Sequence, residues 1–146
     1  MDLSGRWTPR LPGDAIEHWA STMPEASAVT FVDYLAARSG PRRSHTWRQW
    51  EQWTRALAHR LQELTKGQHL PRAAILAPQG PEYIAAFHAA LRAGVIAVPL
   101  FQPDLPGHGD RLDAVLADCE PTIVLTTADR LELTEKLLAK HGLTGQ

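Results

Sequence analysis

Three short apolar runs, Ala73–Ala77, Val95–Val98 and Thr122–Thr126, punctuate the second half of the chain, with amphipathic stretches between and after them. A run of four or five apolar residues without polar alternation wants cover on both faces, the environment of a strand in a parallel sheet. Parallel strands need crossover connections, and right-handed strand–helix–strand units supply them. The expected fold is therefore α/β: a parallel sheet flanked by helices in a three-layer arrangement.

The intervening segments fit that scheme. Gly80-Pro81 opens a helix whose packing face is Tyr83, Phe87, Ala90 and Leu91 and which stops at Gly94. Its other sides carry Ala85, Ala86, Ala89 and Ala93, so little bulk prevents close approach on several sides, and deep burial is expected. Pro99 closes the second run, and a Pro/Gly-rich loop spans Gln102–Gly109. Leu112, Val115, Leu116 and Cys119 form the apolar face of the next helix, with Arg111, Asp113 and Asp118 outside. A last helix runs from Asp129 to His141, capped by Gly142.

Upstream, Ile16, Trp19, Ala20 and Met23 recur at helical spacing, with Asp14 placed to cap the N-terminus and Pro24 ending the helix. Ala28–Tyr34 alternates like a strand, Ser39–Arg42 has turn chemistry, and Ser44–Trp47 reads as the returning strand, so residues 28–48 form a hairpin. From Trp47 to Leu64 the residues Trp50, Trp53, Leu57, Leu61 and Leu64 fall on one helical stripe, and Gly67 ends that helix. Arg48, Glu51, Arg55 and Glu63 lie off the stripe. The expected organisation is an irregular lead-in over 1–13, one α/β subdomain over 14–142 and a tail over 143–146.

Composition narrows the function classes. A net charge of −1 gives no electrostatic footprint for nucleic acid. No run approaches the roughly 20 apolar residues that span a bilayer. The first twenty residues carry Asp2, Arg6, Arg10, Asp14 and Glu17 around no apolar stretch, so no secretory leader is expected and a cytoplasmic location is. A single cysteine, Cys119, excludes an internal disulfide, and its place on an apolar helix face reads as an inert thiol.

Catalytic constellations are missing from the residue pattern. There is no GxxxxGK[ST] loop, no GxGxxG after a strand and no HExxH. The Gly107-His-Gly109 cluster reads as a turn, His88 with Arg92 as a solvated helix face, and His59 likewise. The Trp47, Trp50, Trp53 trio could stack bases or sugars, but its continuation through Leu57 and Leu61 makes it core. No residue is nominated as catalytic, cofactor-binding or metal-ligating.

Two longer patterns carry a resemblance. Thr46–Trp50 at a strand-to-helix junction resembles the first core motif of adenylate-forming enzymes, and Leu91–Leu100 resembles the second. Thr30–Tyr34, Ala77–Gly80 with Glu82 and Tyr83, Leu116–Asp118 and Pro121–Thr127 are similar to the N-terminal region of fatty acyl-AMP ligases. The resemblance covers residues 14 to 130. It implies the first subdomain of an enzyme that uses ATP, with Mg2+, to turn a fatty acid into acyl-adenylate and pass it to an acyl carrier protein. The remainder of the ligase domain would be this segment's partner.

The family's Ser/Thr/Gly-rich phosphate loop, acidic nucleotide motifs and C-terminal lysine have no counterpart in this sequence. No family catalytic residue carries over, and the chain alone is expected to be an inactive scaffold that self-associates or carries an unusually apolar exposed face where the rest of the enzyme would pack. Two rival readings are the same piece of a CoA ligase or peptide-synthetase adenylation domain, and a freestanding interaction module of the same fold.

Overall fold

The computed structural model describes residues 11–34, 37–102, 109–140 and 142. In chain order they form α1 (Pro12–Thr22), β1 (Ser27–Val32), β2 (Arg42–Thr46), α2 (Trp47–Leu64), β3 (Arg72–Ile75), α3 (Pro81–Ala93), β4 (Ile96–Pro99), α4 (Gly109–Cys119), β5 (Ile123–Leu125), a 3₁₀ turn (Ala128–Arg130) and α5 (Leu131–Lys140). The Gly107-His108 pair, most of the lead-in and the 143–146 tail lie outside the described residues.

The three apolar runs are parallel neighbours in the order β4-β3-β5. Central β3 is walled on both faces, and Ala73, Ala74 and Ile75 are fully buried. Ala73 packs on the side of α2 and α3, against Ala58, Leu61, Ala89 and Ala90. Ala74 and Leu76 point the other way, against Leu112 and Leu116 of α4. That two-sided burial is why the run needs no polar alternation.

The layering goes one step beyond the three expected. The antiparallel β1–β2 hairpin and α1 cover the outer side of α2 and α3, where Ile16, Trp50 and Ala85 are buried with Ala28 and Val29 packed against them. The α2–α3 pair is thus buried on both sides, which explains why α3 is built of alanine: Ala85, Ala86, Ala89 and Ala90 are its buried residues, together with Pro81. Its packing face is therefore the alanines. Tyr83 and Phe87 lie at its margin and Leu91 is exposed, because a layer closed on two sides leaves no depth for large side chains.

Both resembling motifs are structural joints. At the first, Thr46 Oγ1 accepts from the Gln49 amide at 3.3 Å while Gln49 Oε1 accepts from the Thr46 amide at 3.0 Å, a reciprocal cap that starts α2. At the second, Gly94 takes φ +73°, its amide reaches Leu91 O, and the Val95 amide returns to Ala90 O at 2.9 Å. That left-handed stop turns α3 directly into β4.

Several local expectations need correction. Asp14 is the third residue of α1 rather than its cap, accepting from the Leu11 amide at 3.0 Å, because Pro12 starts the helix earlier. Met23 and Leu64, at the ends of their stripes, are exposed. The strand from Ala28 stops at Val32, with Tyr34 exposed beyond it. The last helix opens as a 3₁₀ turn and becomes α-helical only at Leu131.

The hairpin return supplies a test. Gly40 is buried at φ +60°, and a Cβ there would lie 2.6 Å from Val32 Cγ1 and 2.8 Å from Tyr34 Cε1. Gly40→Ala should therefore destabilise by at least about 2 kcal/mol, read as a urea midpoint shift, since left-handed strain and overpacking add. An unchanged midpoint would show that the return relaxes freely.

Candidate functional site: a cleft at the strand-order switch

The strand order fixes where a site can form. The connection from β3 through α3 leads to β4 on one side, and the chain then crosses by α4 to β5 on the other side of β3. The loops leaving β3 and β5 therefore diverge, opening a crevice beyond the carboxyl ends of those strands. A cleft of about 700 Å³ occupies that position, lined by Ala77, Pro78 and Gln79 after β3 and by Thr126–Asp129 after β5. Its volume suits a small ligand.

Each wall comes from a different element. Trp53 and Leu57 of α2, Ala86 of α3 and Leu125 of β5 make the apolar part, and Phe31, Asp33 and Arg43 of the hairpin make the opposite wall. Arg43 clamps the hairpin to the first turn of α3, with Nη1 2.8 Å from Glu82 Oε1 and Nη2 3.5 Å from Oε2, while its guanidinium lies 5.4 Å from the Phe31 ring centre. The strand ends are held by a relay in which Thr134 Oγ1 donates to Thr126 Oγ1 at 3.1 Å and Thr126 Oγ1 donates to Leu76 O at 3.2 Å. The adjacent Thr127 Oγ1 is shut off from solvent without a partner. Asp33, Glu82, Thr126 and Thr127 lie in stretches that carry the family resemblance, whereas Arg43 and Thr134 lie in none. What brings them to one cleft is the strand order, which is not visible before the fold is known.

The lining mixes polar and apolar groups. Asp33, Glu82 and Asp129 contribute carboxylates, Arg43 a guanidinium that Glu82 engages, and none of the lining residues is a histidine. Among the described residues no three His, Cys, Asp or Glu side chains converge to hold a metal ion.

The residues singled out in the sequence lie elsewhere. His59 is exposed, 3.8 Å from Glu63, as a solvated face would be. His88 and Arg92 are not solvated. Trp50 Nε1 donates to His88 Nδ1 at 3.2 Å, and Arg92, only 10% exposed, reaches Glu17 at 2.7 Å and Glu51 at 3.5 Å. The cause is α1, which covers this side of α2 and α3 and buries Glu51 as well. Trp50 is core, 1% exposed, with Trp53 edge-on at 5.5 Å between ring centres. Cys119 is half-buried and burial pushes its thiol pKa up, which keeps it protonated and unreactive.

Burial also lowers the His88 pKa below its ordinary 6.5. The unfolded chain then binds the proton more readily, so folding stability declines as pH falls below about 6.5. His88→Gln, which keeps an acceptor for Trp50, should show a smaller loss in urea midpoint between pH 7.5 and 5.5. Equal losses in both proteins would clear His88 of the effect.

Comparison with known proteins agrees with the resemblance. A family model described as AMP-binding enzyme matches residues 16–145. The chain is 46% identical over 121 residues to a long-chain-fatty-acid–AMP ligase of Mycolicibacterium smegmatis, covering 83% of this chain and 19% of that protein. It is 39% identical over 143 residues to one of Mycobacterium tuberculosis, covering 97% and 23%. The crystal structure of a fatty acid AMP ligase from Legionella pneumophila superposes with a TM-score of 0.76 at 26% identity, over 86% of this chain and 21% of that one. The chain thus spans about a fifth of these relatives. With a family model matched from Ile16 almost to the last residue and the same fold in a ligase of known structure, this chain belongs to the AMP-binding enzyme family.

Proposed function

We propose that this chain is the N-terminal α/β part, residues 14–142, of an ATP-dependent fatty acyl-AMP ligase. The whole enzyme joins a fatty acid to ATP with Mg2+, releases pyrophosphate and hands the acyl group to an acyl carrier protein. Within it this segment is scaffold, the remaining four-fifths supplying the nucleotide site. The observation that carries the reading is 46% identity to a long-chain-fatty-acid–AMP ligase across both structural joints. The location is cytoplasmic; no helix among the described residues is long and apolar enough to cross a membrane.

A chimera tests this. Residues 16–145 replace the matching segment of the Mycolicibacterium smegmatis ligase, and acyl-adenylate formation is followed by ATP–pyrophosphate exchange with a long-chain fatty acid. Exchange within tenfold of the parent supports the reading. A folded chimera without exchange supports a freestanding module, and acyl-CoA made on adding CoA supports a CoA ligase. The 146-residue chain alone should give no exchange, because its sequence has no Ser/Thr/Gly-rich phosphate loop with a lysine to aim donors at the developing charge. Exchange by the chain that a point substitution within it abolishes would overturn the scaffold role.

Self-association is the companion expectation. Leu70, Ile96 and Leu131 are 57%, 43% and 49% exposed, and β4 and β5 are edge strands among the described residues. Light scattering over a tenfold concentration range should show mass rising with concentration. A constant monomer mass would make the chain a self-sufficient unit.

A further inference from the structure

The layer of α2 and α3 is closed above and below but not at its α3 end. The alanines of α3 mark the covered directions: Ala85 turns to Trp50 and the hairpin side, Ala86 to the sheet, and Ala89 to the core shared with Ala58 and Leu61 of α2. On the side of the helix away from Ala89 stand Ile84, Phe87 and Leu91, at i, i+3 and i+7. Ile84 and Leu91 are 39% and 38% exposed, and Phe87 is half-buried. The exposed face of α2, by contrast, carries Gln52, Arg55, His59 and Glu63, as a face meant for water does. The neighbouring edge of the sheet is poorly suited to another strand. The Ile96 and Leu100 amides donate inward, to Pro71 O and Ile75 O, so the outward donors of β4 would be residues 97 and 99, and residue 99 is a proline.

We propose that the Ile84–Phe87–Leu91 flank seats an apolar-faced helix from the remaining four-fifths of the ligase, laid beside α3 so that the α2–α3 layer continues. The proposal rests on the ligase reading. The flank is too small to hold a second copy of the chain. It spans about 10 Å of a helix about 10 Å across, an area on the order of 100 Å², against roughly 800 Å² per partner in a stable dimer. A helix of the same polypeptide needs no such area, because the connecting chain keeps it at high effective concentration.

Ile84→Cys and Leu91→Cys, made separately, are treated with iodoacetamide, and modification at that one site is followed by peptide mass spectrometry. The 146-residue chain and the Mycolicibacterium smegmatis chimera are compared. The chain alone should react at a rate independent of its concentration over a tenfold range, and the chimera at least tenfold more slowly. Leu91→Lys should leave the urea midpoint of the chain unchanged and lower that of the chimera. ATP–pyrophosphate exchange by the same chimera reports on the ligase reading separately. An exchanging chimera modified as fast as the chain alone overturns the proposal and leaves that reading standing. Modification of the chain alone that slows as concentration rises assigns the flank to a second copy, and slow modification at every concentration assigns it to a segment of this chain; either overturns the proposal. A chimera that does not fold removes the reading and the proposal with it.

Discussion

Replacing Trp50 by alanine is expected to remove about 3–5 kcal/mol of stability, a large part of what a domain of this size possesses. The indole is 1% exposed and sits where α1, α2, α3 and the hairpin meet, in one cluster with Ile16 and Ala85. Three losses combine. The ring's transfer from water is forfeited, and a cavity opens that alanine-rich α3 cannot collapse to fill. The Nε1 donation to His88 Nδ1 also disappears, stranding a half-buried acceptor. Trp50→Phe separates these contributions, since it keeps most of the volume and loses only the donor. It should cost about 1–2 kcal/mol by the same hydrogen-bond reasoning. Urea unfolding followed by circular dichroism measures both, and an alanine variant less than 1 kcal/mol below the parent would mean that the four elements do not share one core.

Trp50 also marks what could be read in advance. Its period with Trp53, Leu57 and Leu61 identified α2 from Trp47 to Leu64, and the uninterrupted apolar runs identified the parallel strands, because both signals are set by burial alone. The buried polar layer could not be read that way. Glu51 is off the stripe by periodicity yet 7% exposed, since a stripe describes one face and α2 is covered on two. Whether α1 folds back over α2 is a long-range fact that no local spacing encodes. The cleft is similarly hidden. The Thr126-Thr127 pair lies far along the chain from Asp33 and Arg43 of the hairpin, and they line one cleft because β5 adds beside β3 and not beside β4. The resemblance marked Thr46–Trp50 and Leu91–Leu100, which are joints that orient helices, and also Thr30–Tyr34, Ala77–Gly80 with Glu82, and Pro121–Thr127, which bring Asp33, Gln79, Glu82, Thr126 and Thr127 to the cleft.

The buried charges between α1, α2 and α3 allow a sharper experiment. Arg92 is 10% exposed, and its Nη2 serves Glu17 at 2.7 Å and Glu51 at 3.5 Å while Nη1 is buried without a partner. Glu51 has a second cation, Arg55, at 2.6 Å, whereas Arg92 depends on these two carboxylates. The network is therefore asymmetric. Removing Arg92 leaves Glu51 paired and lets the exposed Glu17 return to water. Removing both carboxylates leaves a guanidinium in the protein with nothing to balance it. Uncompensated buried charge costs about 3–5 kcal/mol, while exchanging a buried ion for an apolar side chain of similar size is near neutral. Glu17→Gln combined with Glu51→Gln should thus lower the unfolding free energy by about 3–5 kcal/mol, Arg92→Met alone by less than about 1 kcal/mol, and Arg92→Met added to the double variant should restore most of the loss. Urea unfolding at pH 7.5 gives all three. If Arg92→Met alone matches the double variant, the guanidinium stabilises the three-helix junction outright, and the cost of its burial is fully met by contacts beyond these two carboxylates.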